Sequence, residues 1–286
     1  MSNSIFFERG QMADKPNNYL WNGDCLELMQ DIPDKSIDAI ICDLPYGTTA
    51  CKWDSVIPFE PLWEQYKRII KENGAIVLFG SEPFSSTLRL SNIKMYRYDW
   101  IWHKNMGGGF ATAKKIPMKR HEVISVFYKK LPTYNPIFEK YSESTHKRFK
   151  QGEKVNRKKQ MLKSTNQINN GISFEGEQGI ELKRGKYPSS VQFFKAPHNA
   201  NGNRLHPTQK PLELIKYLVK TYTNENDWVL DNTCGSNTTG IACYDLNRNY
   251  IGIEKDIDIF KVAKERVEKK IELSANEQQT LFKPKP

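Results

Sequence analysis

The sequence predicts an α/β protein built on a doubly wound, mostly parallel sheet. Two observations carry this. Compact apolar runs such as 37–42 and 75–79 stop at polar residues, which is how a strand buried on both faces reads. Segments with apolar residues at helical spacing separate such runs, and a parallel sheet needs crossovers of that kind. A basic, polar and aromatic stretch from Lys129 to about Asn203 breaks the alternation and reads as an insertion.

In chain order, Tyr19 to Trp21 forms a first strand that leads into Gly23-Asp24 and a short segment with Leu26, Leu28 and Met29. The run from Ile37 to Cys42 is a buried strand ending at Asp43-Leu44-Pro45-Tyr46. Leu62, Tyr66, Ile69 and Ile70 share one helical face, with Asn73-Gly74 as the stop signal. Ala75 to Phe79 is the next strand. Tyr96 to Trp102 and Glu122 to Tyr128 are rich in β-formers and flank a loop at Gly107 to Gly109. After the insertion, Leu212, Ile215, Leu218, Val219 and Tyr222 mark a helix and Trp228 to Leu230 a strand. The turn Asp231 to Gly240 opens another helix. Tyr250 to Ile253 is a strand ending at Glu254, and Phe260, Ala263, Val267 and Ile271 mark the last helix. The domains expected are core residues 1–128, an inserted region 129–200, core residues 201–273, and a flexible tail 274–286.

The net charge of +10 suits an acidic partner, and its position says more than its size. Lys129 to Lys163 holds eleven Lys and Arg against three Glu, which leaves only +2 for the rest of the chain. The five cysteines include no C-x-x-C pair, so neither a zinc module nor any other metal site is expected, and a reducing compartment fits. No run reads as a membrane span or a signal peptide, so a soluble, cytoplasmic protein is expected.

A strand entering a glycine-bearing turn that opens a helix is a geometry for nucleotide-like cofactors. Glu254, at the end of the following strand, lies nineteen residues after Gly235, a spacing suited to gripping ribose hydroxyls. The turn lacks the middle glycine of a dinucleotide site and the lysine of a P-loop, which speaks against an oxidoreductase and against an ATPase. Few residues follow Lys270, so the rest of the sheet must come from upstream, and the strand ending at Asp43 must lie beside the turn.

Asp43-Leu44-Pro45-Tyr46 resembles the D-P-P-Y motif of amino-methyltransferases acting on DNA. Asp231 to Gly240 is similar to their cofactor motif, and His206-Pro207-Thr208-Gln209-Lys210-Pro211 to the segment preceding it. Catalytic motif, recognition region and cofactor motif follow in the order of the β-class, whose closest likeness here is to phage, prophage or restriction-modification enzymes. The resemblance covers roughly residues 19 to 270. It implies a Rossmann-like methyltransferase fold with circularly permuted motifs, S-adenosylmethionine as cofactor, and double-stranded DNA as substrate. It further implies that Asp24, with Cys25, contacts the cofactor adenine and Glu254 its ribose. Lys210 with Asp231, Thr233, Gly235, Ser236, Asn237 and Thr238 is then expected at the methionine end.

The chemistry explains the residue types. An exocyclic amine is a poor nucleophile because its lone pair is delocalised into the ring. The Asp43 carboxylate and the Leu44 carbonyl can accept its two N–H bonds and aim the lone pair at a methyl group. The target base must leave the duplex, and Tyr46 is the natural platform for it to stack on. Methylation at carbon would need a Pro-Cys nucleophile, and no cysteine follows a proline. Relatives with Asp at the motif start prefer adenine and those with Ser prefer cytosine, so N6 of adenine is expected, with N4 of cytosine as the rival. Leu44 stands where the motif has proline, and only its carbonyl is used. Asn237 stands where relatives carry glycine, so its side chain is expected either to crowd the cofactor or to demand an unusual backbone angle.

The basic insertion is expected to recognise DNA, with lysines on phosphates. Gly107 to Lys115 reads either as a loop over the target base or as a plain hairpin connection, and His103 and His121 read as structural. A homodimer is expected by family likeness. Gln278 to Phe282 resembles the pentapeptide that docks extended on the replication sliding clamp. Rival readings are an RNA methyltransferase, a non-catalytic DNA-binding module and, more distantly, an NAD-dependent oxidoreductase.

Overall fold

A computed structural model describes residues 17–47, 54–144, 185–197 and 209–281. His206 to Thr208, Cys51 and most of the basic insertion lie outside these residues, as does Phe282. Eight strands form one sheet: β1 (Asn18–Asn22), β2 (Ile37–Cys42), β3 (Ile70–Gly80), β4 (Tyr96–Gly108), β5 (Lys119–Phe127), β6 (Val191–Phe193), β7 (Trp228–Asp231) and β8 (Asn249–Glu254). The helices are α1 (Cys25–Leu28), α2 (Phe59–Ile69), α3 (Phe84–Ser91), α4 (Leu212–Tyr222), α5 (Thr238–Asp245) and α6 (Ile257–Leu281).

The strand order is β1-β8-β7-β2-β3-β5-β4-β6. All neighbours are parallel except β5, which is antiparallel to both β3 and β4. The sheet is doubly wound. Ile40, Cys42 and Leu78 point to the face covered by α2 and α3, while Ile41, Val77 and Phe79 point to the face covered by α4 and α5. Ile40, Ile41, Val77 and Leu78 are all fully buried, each contributing about 1.5–3 kcal/mol of transfer free energy, which explains why β2 and β3 read as unbroken apolar runs. On α4, Leu214, Ile215, Leu218, Val219 and Tyr222 form one buried stripe. Phe260 and Ala263 of α6 pack on Leu20 of β1.

The direction of winding reverses between β2 and β7. At such a switch point the crossovers diverge, leaving a crevice at the carboxyl ends of the strands. Asp43 follows β2 there, Asp231 ends β7, and Glu254 ends β8 on the next strand.

Several expectations shift in detail. Ile70 does not continue the helix: α2 stops at Ile69 and β3 begins at once. Ile37 pairs with Ile70 but Ala39 pairs with Ala75, so Asn73-Gly74 lies in a bulge within β3 rather than ending a helix. Gly107 and Gly108 belong to β4, and the loop proper starts at Gly109. The segment 136–190 forms a compact unit of its own, narrower than the 129–200 boundary drawn from composition, because β6 joins the core sheet beside β4 and the Asn135 N–H donates to the Thr221 carbonyl. The backbone from Ser274 to Leu281 continues α6 as helix where an extended tail was expected; no Gly or Pro intervenes before Pro284. Among the described residues no helix is long and apolar enough to cross a membrane, and no cluster of side chains suits a metal ion.

Candidate active site

The crevice holds a cavity of about 500 Å³, within the range of roughly 300–1,000 Å³ common for small-molecule sites. Its walls include Asp24, Asp43, Tyr46, Lys210, Gly235 and Glu254. The two motifs, far apart in sequence, meet directly: the Thr233 hydroxyl donates to the Asp43 main-chain carbonyl at 3.1 Å.

Asp43 is fixed from both sides. One carboxylate oxygen accepts the Tyr46 hydroxyl at 2.6 Å and the other accepts the Lys210 ammonium. Lys210 Nζ lies 3.4 Å from Glu122 and 5.2 Å from the centre of the Phe79 ring. Glu122 in turn accepts the Lys104 ammonium, so acids and bases alternate from Asp43 to Lys104. Burial pushes the Asp43 carboxyl up, and the Lys210 ammonium opposes that without reversing it. Burial also raises Glu122, but the Lys210 and Lys104 ammoniums outweigh it and hold Glu122 below the usual range. Burial lowers Lys210, yet Asp43 and Glu122 keep its ammonium firmer than usual.

Leu44 explains its departure from the motif. Its side chain is buried in the same apolar cluster as Cys25, Leu62 and Phe84, which anchors the backbone that carries its carbonyl. The Tyr46 ring packs tilted on Phe84, with centroids 5.0 Å apart.

The cofactor turn is held by backbone and side chains together. Gly235 has φ +53°, and a Cβ built there meets nothing within 4 Å, so the glycine leaves open space on the cavity side. Its N–H donates to Glu254 at 2.9 Å, and the other Glu254 oxygen accepts the Asp256 N–H at 2.9 Å. Burial pushes the Glu254 carboxyl up while these N–H groups oppose it. A carboxylate offers about four acceptor directions, so Glu254 keeps capacity for further donors. Asp24 caps α1 through the Leu26 N–H at 2.9 Å and pairs with Lys255 at 2.9 Å, and Cys25 is buried beside it.

Two predicted cofactor residues also hold the turn together. Asp231 is buried, accepts the Thr239 hydroxyl at 2.7 Å and the Thr233 N–H at 3.3 Å, and is pushed up to about 7 by burial. Asn237 does have the unusual backbone angle, φ 60°, ψ 43°, but it does not crowd the cavity. Its fully buried side chain turns under the helix and accepts the Gly240 N–H at 3.2 Å, capping α5. This also explains Gly240, where a Cβ would lie 2.4 Å from Asn237 Oδ1. Gly240→Ala is therefore expected to destabilise the protein by about 1–3 kcal/mol through overpacking. In an Asn237→Gly background the same change is expected to be neutral or stabilising, because alanine then contributes only its helix propensity, about 1 kcal/mol. Urea unfolding of the four proteins in this cycle measures the sign change; equal effects in both backgrounds would contradict it.

Sequence reading missed four residues of the site. Glu122 and Lys104 lie in segments read only as strand and hairpin. A carboxylate heading the apolar run Val123 to Phe127 was the available signal. Asn232 is buried and accepts the Tyr66 hydroxyl at 2.6 Å and the Cys42 thiol at 2.8 Å, locking the turn to β2 and α2. Arg266 of α6 donates to the Ser236 carbonyl at 2.8 Å and the Thr238 hydroxyl at 2.9 Å. No signal in the helix pattern marks Arg266.

The family model for a DNA methylase, N6/N4 type, matches residues 37–265. The Type II methyltransferase M.HpaI of Haemophilus parainfluenzae is 30% identical over 259 residues, covering 85% of this chain and 72% of the relative. A crystal structure of the M1.HpyAVI–SAM complex superposes with TM-score 0.54 at 24% identity, covering 86% of this chain and 98% of the other. The PvuII DNA methyltransferase, cytosine-N4-specific, gives TM-score 0.57 at 16% identity over 89% of each chain. The site built at the switch point and the span of the match agree: the chain belongs to the N6/N4 DNA methylase family, the β-class amino-methyltransferases whose motif order it carries.

Proposed function

We propose that this protein methylates N6 of an adenine flipped out of double-stranded DNA, with S-adenosylmethionine as methyl donor. The observation that carries the reading is the Thr233–Asp43 bond, which ties the glycine turn to the catalytic motif on one wall of a single cavity. The open space at Gly235 and the carboxylates of Asp24 and Glu254 suit the donor: acids for its adenine and ribose, the turn with Ser236 and Thr238 for its methionine end. When bound, S-adenosylmethionine supplies an electrophilic methyl group on a sulfonium.

The chain's own residues supply the rest. Asp43 and the Leu44 carbonyl accept the two N–H bonds of the amine, which localises the nitrogen lone pair. As the N–C bond forms and the S–C bond breaks, the nitrogen sheds one proton, and the Asp43 carboxylate receives it. Lys210 keeps that carboxylate charged against the pull of burial. Tyr46, braced on Phe84, offers a ring for the extrahelical base to stack on. Asp43 at the head of the motif favours adenine over cytosine. The compact unit 136–190 and the adjoining basic residues serve to read the DNA sequence.

Nucleoside mass spectrometry after incubation of mixed-sequence DNA with the protein and S-adenosylmethionine tests this. N6-methyladenine, absent with Asp43→Ala, is the expected product. N4-methylcytosine would keep the mechanism and overturn the base assignment, and no methylated base would overturn the enzyme reading.

A further inference from the structure

The hairpin joining β4 to β5 overhangs the sheet. Gly80 at the end of β3 pairs with Val123, and β4 pairs with β5 in continuous register from Tyr98 to His103, then again at Gly108 with Lys119 after an irregularity. Everything from Trp102 to Glu122 therefore extends past the carboxyl ends of the parallel strands, the same end that carries Asp43. The roots of the hairpin are cavity wall: Trp102, Lys104 and Glu122 line the pocket. Gly108 pairs with Lys119, three residues from Glu122, so at about 3.3 Å per residue the paired part of the hairpin reaches roughly 10 Å beyond that wall, and the turn from Gly109 onward lies further out.

The composition of this arm is one-sided. Residues 103 to 121 hold five Lys and Arg, two His and no Asp or Glu. Its tip is apolar and uncovered: Phe110 is 85% exposed, Ile116 57% and Met106 56%. The tip is also a hydrogen-bonded turn. Gly109, at φ 86°, starts a 3-10 turn over Phe110–Thr112. The Thr112 hydroxyl and N–H both donate to the Gly109 carbonyl, at 3.0 and 3.1 Å. The Lys115 and Ile116 N–H groups donate to the Thr112 carbonyl. The turn thus satisfies its own backbone, and Phe110 stands outside it in water.

A solvent-exposed phenylalanine on a preformed turn, flanked by unopposed cations, matches the chemistry of a duplex with one base missing from its stack: apolar faces above and below, phosphates on either side. Resting on the reading of the cavity as a pocket for an extrahelical base, we infer that the hairpin is a duplex-DNA wedge. Phe110 fills the gap left by the target base, and Lys114 and Lys115 hold the flanking phosphates. The occupant is duplex DNA and not a single strand, because only a duplex leaves a gap for the ring to fill.

The test compares methyl incorporation into native and heat-denatured plasmid DNA by the full chain, Phe110→Ala and Phe110→Trp, with binding of the same DNAs measured in parallel. Phe110→Ala is expected to lose about tenfold or more on the duplex, the scale of one aromatic–base stack, and under about twofold on denatured DNA. Phe110→Trp is expected to restore duplex activity. Lys114→Ala/Lys115→Ala is expected to weaken binding and flatten its salt dependence by about two phosphate contacts. No loss with Phe110→Ala, or an equal loss on both DNAs, overturns the wedge. If the unaltered chain methylates nothing, the proposed function falls and binding decides the surface: duplex affinity lost with Phe110→Ala keeps the wedge, and unchanged affinity removes it.

Discussion

Asp43→Asn is expected to lower the rate of methyl transfer about a thousandfold while cofactor affinity changes less than about twofold. The substitution is nearly isosteric, so the cavity keeps its shape, but it removes the charge that makes the acceptor strong. A charge-assisted hydrogen bond is roughly twice as strong as a neutral one, and its strength grows as the amine becomes cationic on the way to product. An amide also cannot take the proton that the nitrogen must shed. The loss should therefore fall on the chemical step. Single-turnover kinetics with excess protein isolates that step, and calorimetry reports cofactor binding. A parallel collapse of cofactor binding would place Asp43 in cofactor binding instead of base activation.

Most of the frame that positions Asp43 was legible in the sequence, for a physical reason. Strands buried on both faces need continuous apolar runs, so β2 can be read to the residue, and its polar end stands out against it. The cofactor turn was legible because a backbone at φ +53° selects glycine. Elements set by tertiary contact were not. Nothing local tells Ile70 to leave the helical face and pair with Ile37, since propensity for both states is similar there. β6, three residues long, exists only because β4 offers an edge to it. Lys104 and Glu122 went unseen because their meaning lies in pairing across the hairpin and with Lys210. Of the two consequences expected for Asn237, the unusual backbone angle is the one the structure shows. The backbone angle alone is what the site demands, and the side chain is absorbed by Gly240 beneath it.

Removing the cation beside Asp43 and removing the anion behind it should move the pH profile in opposite directions. Transfer needs an ionised Asp43. Burial favours the neutral acid, Lys210 favours the carboxylate, and the negative charge of Glu122 favours the neutral acid. In Lys210→Met the opposing cation is gone, so the Asp43 pKa rises further. Activity at pH 7 is expected to fall about a hundredfold and to recover as pH increases through the new, higher pKa. In Glu122→Gln a like charge is gone, so the Asp43 pKa falls and the acidic limb of the profile moves to lower pH. The side chains of Lys210 and Glu122 are only 10% and 16% exposed, so these effects escape most solvent screening. A Lys210 that served only the methionine end of the cofactor would behave differently: KM for S-adenosylmethionine would rise at every pH, and the limb would stay in place. The pH dependence of kcat under saturating cofactor separates the two roles. Shifts of opposite sign in the two variants are expected, and shifts in the same direction would mean that Glu122 acts by holding Lys210 in position more than by its own charge.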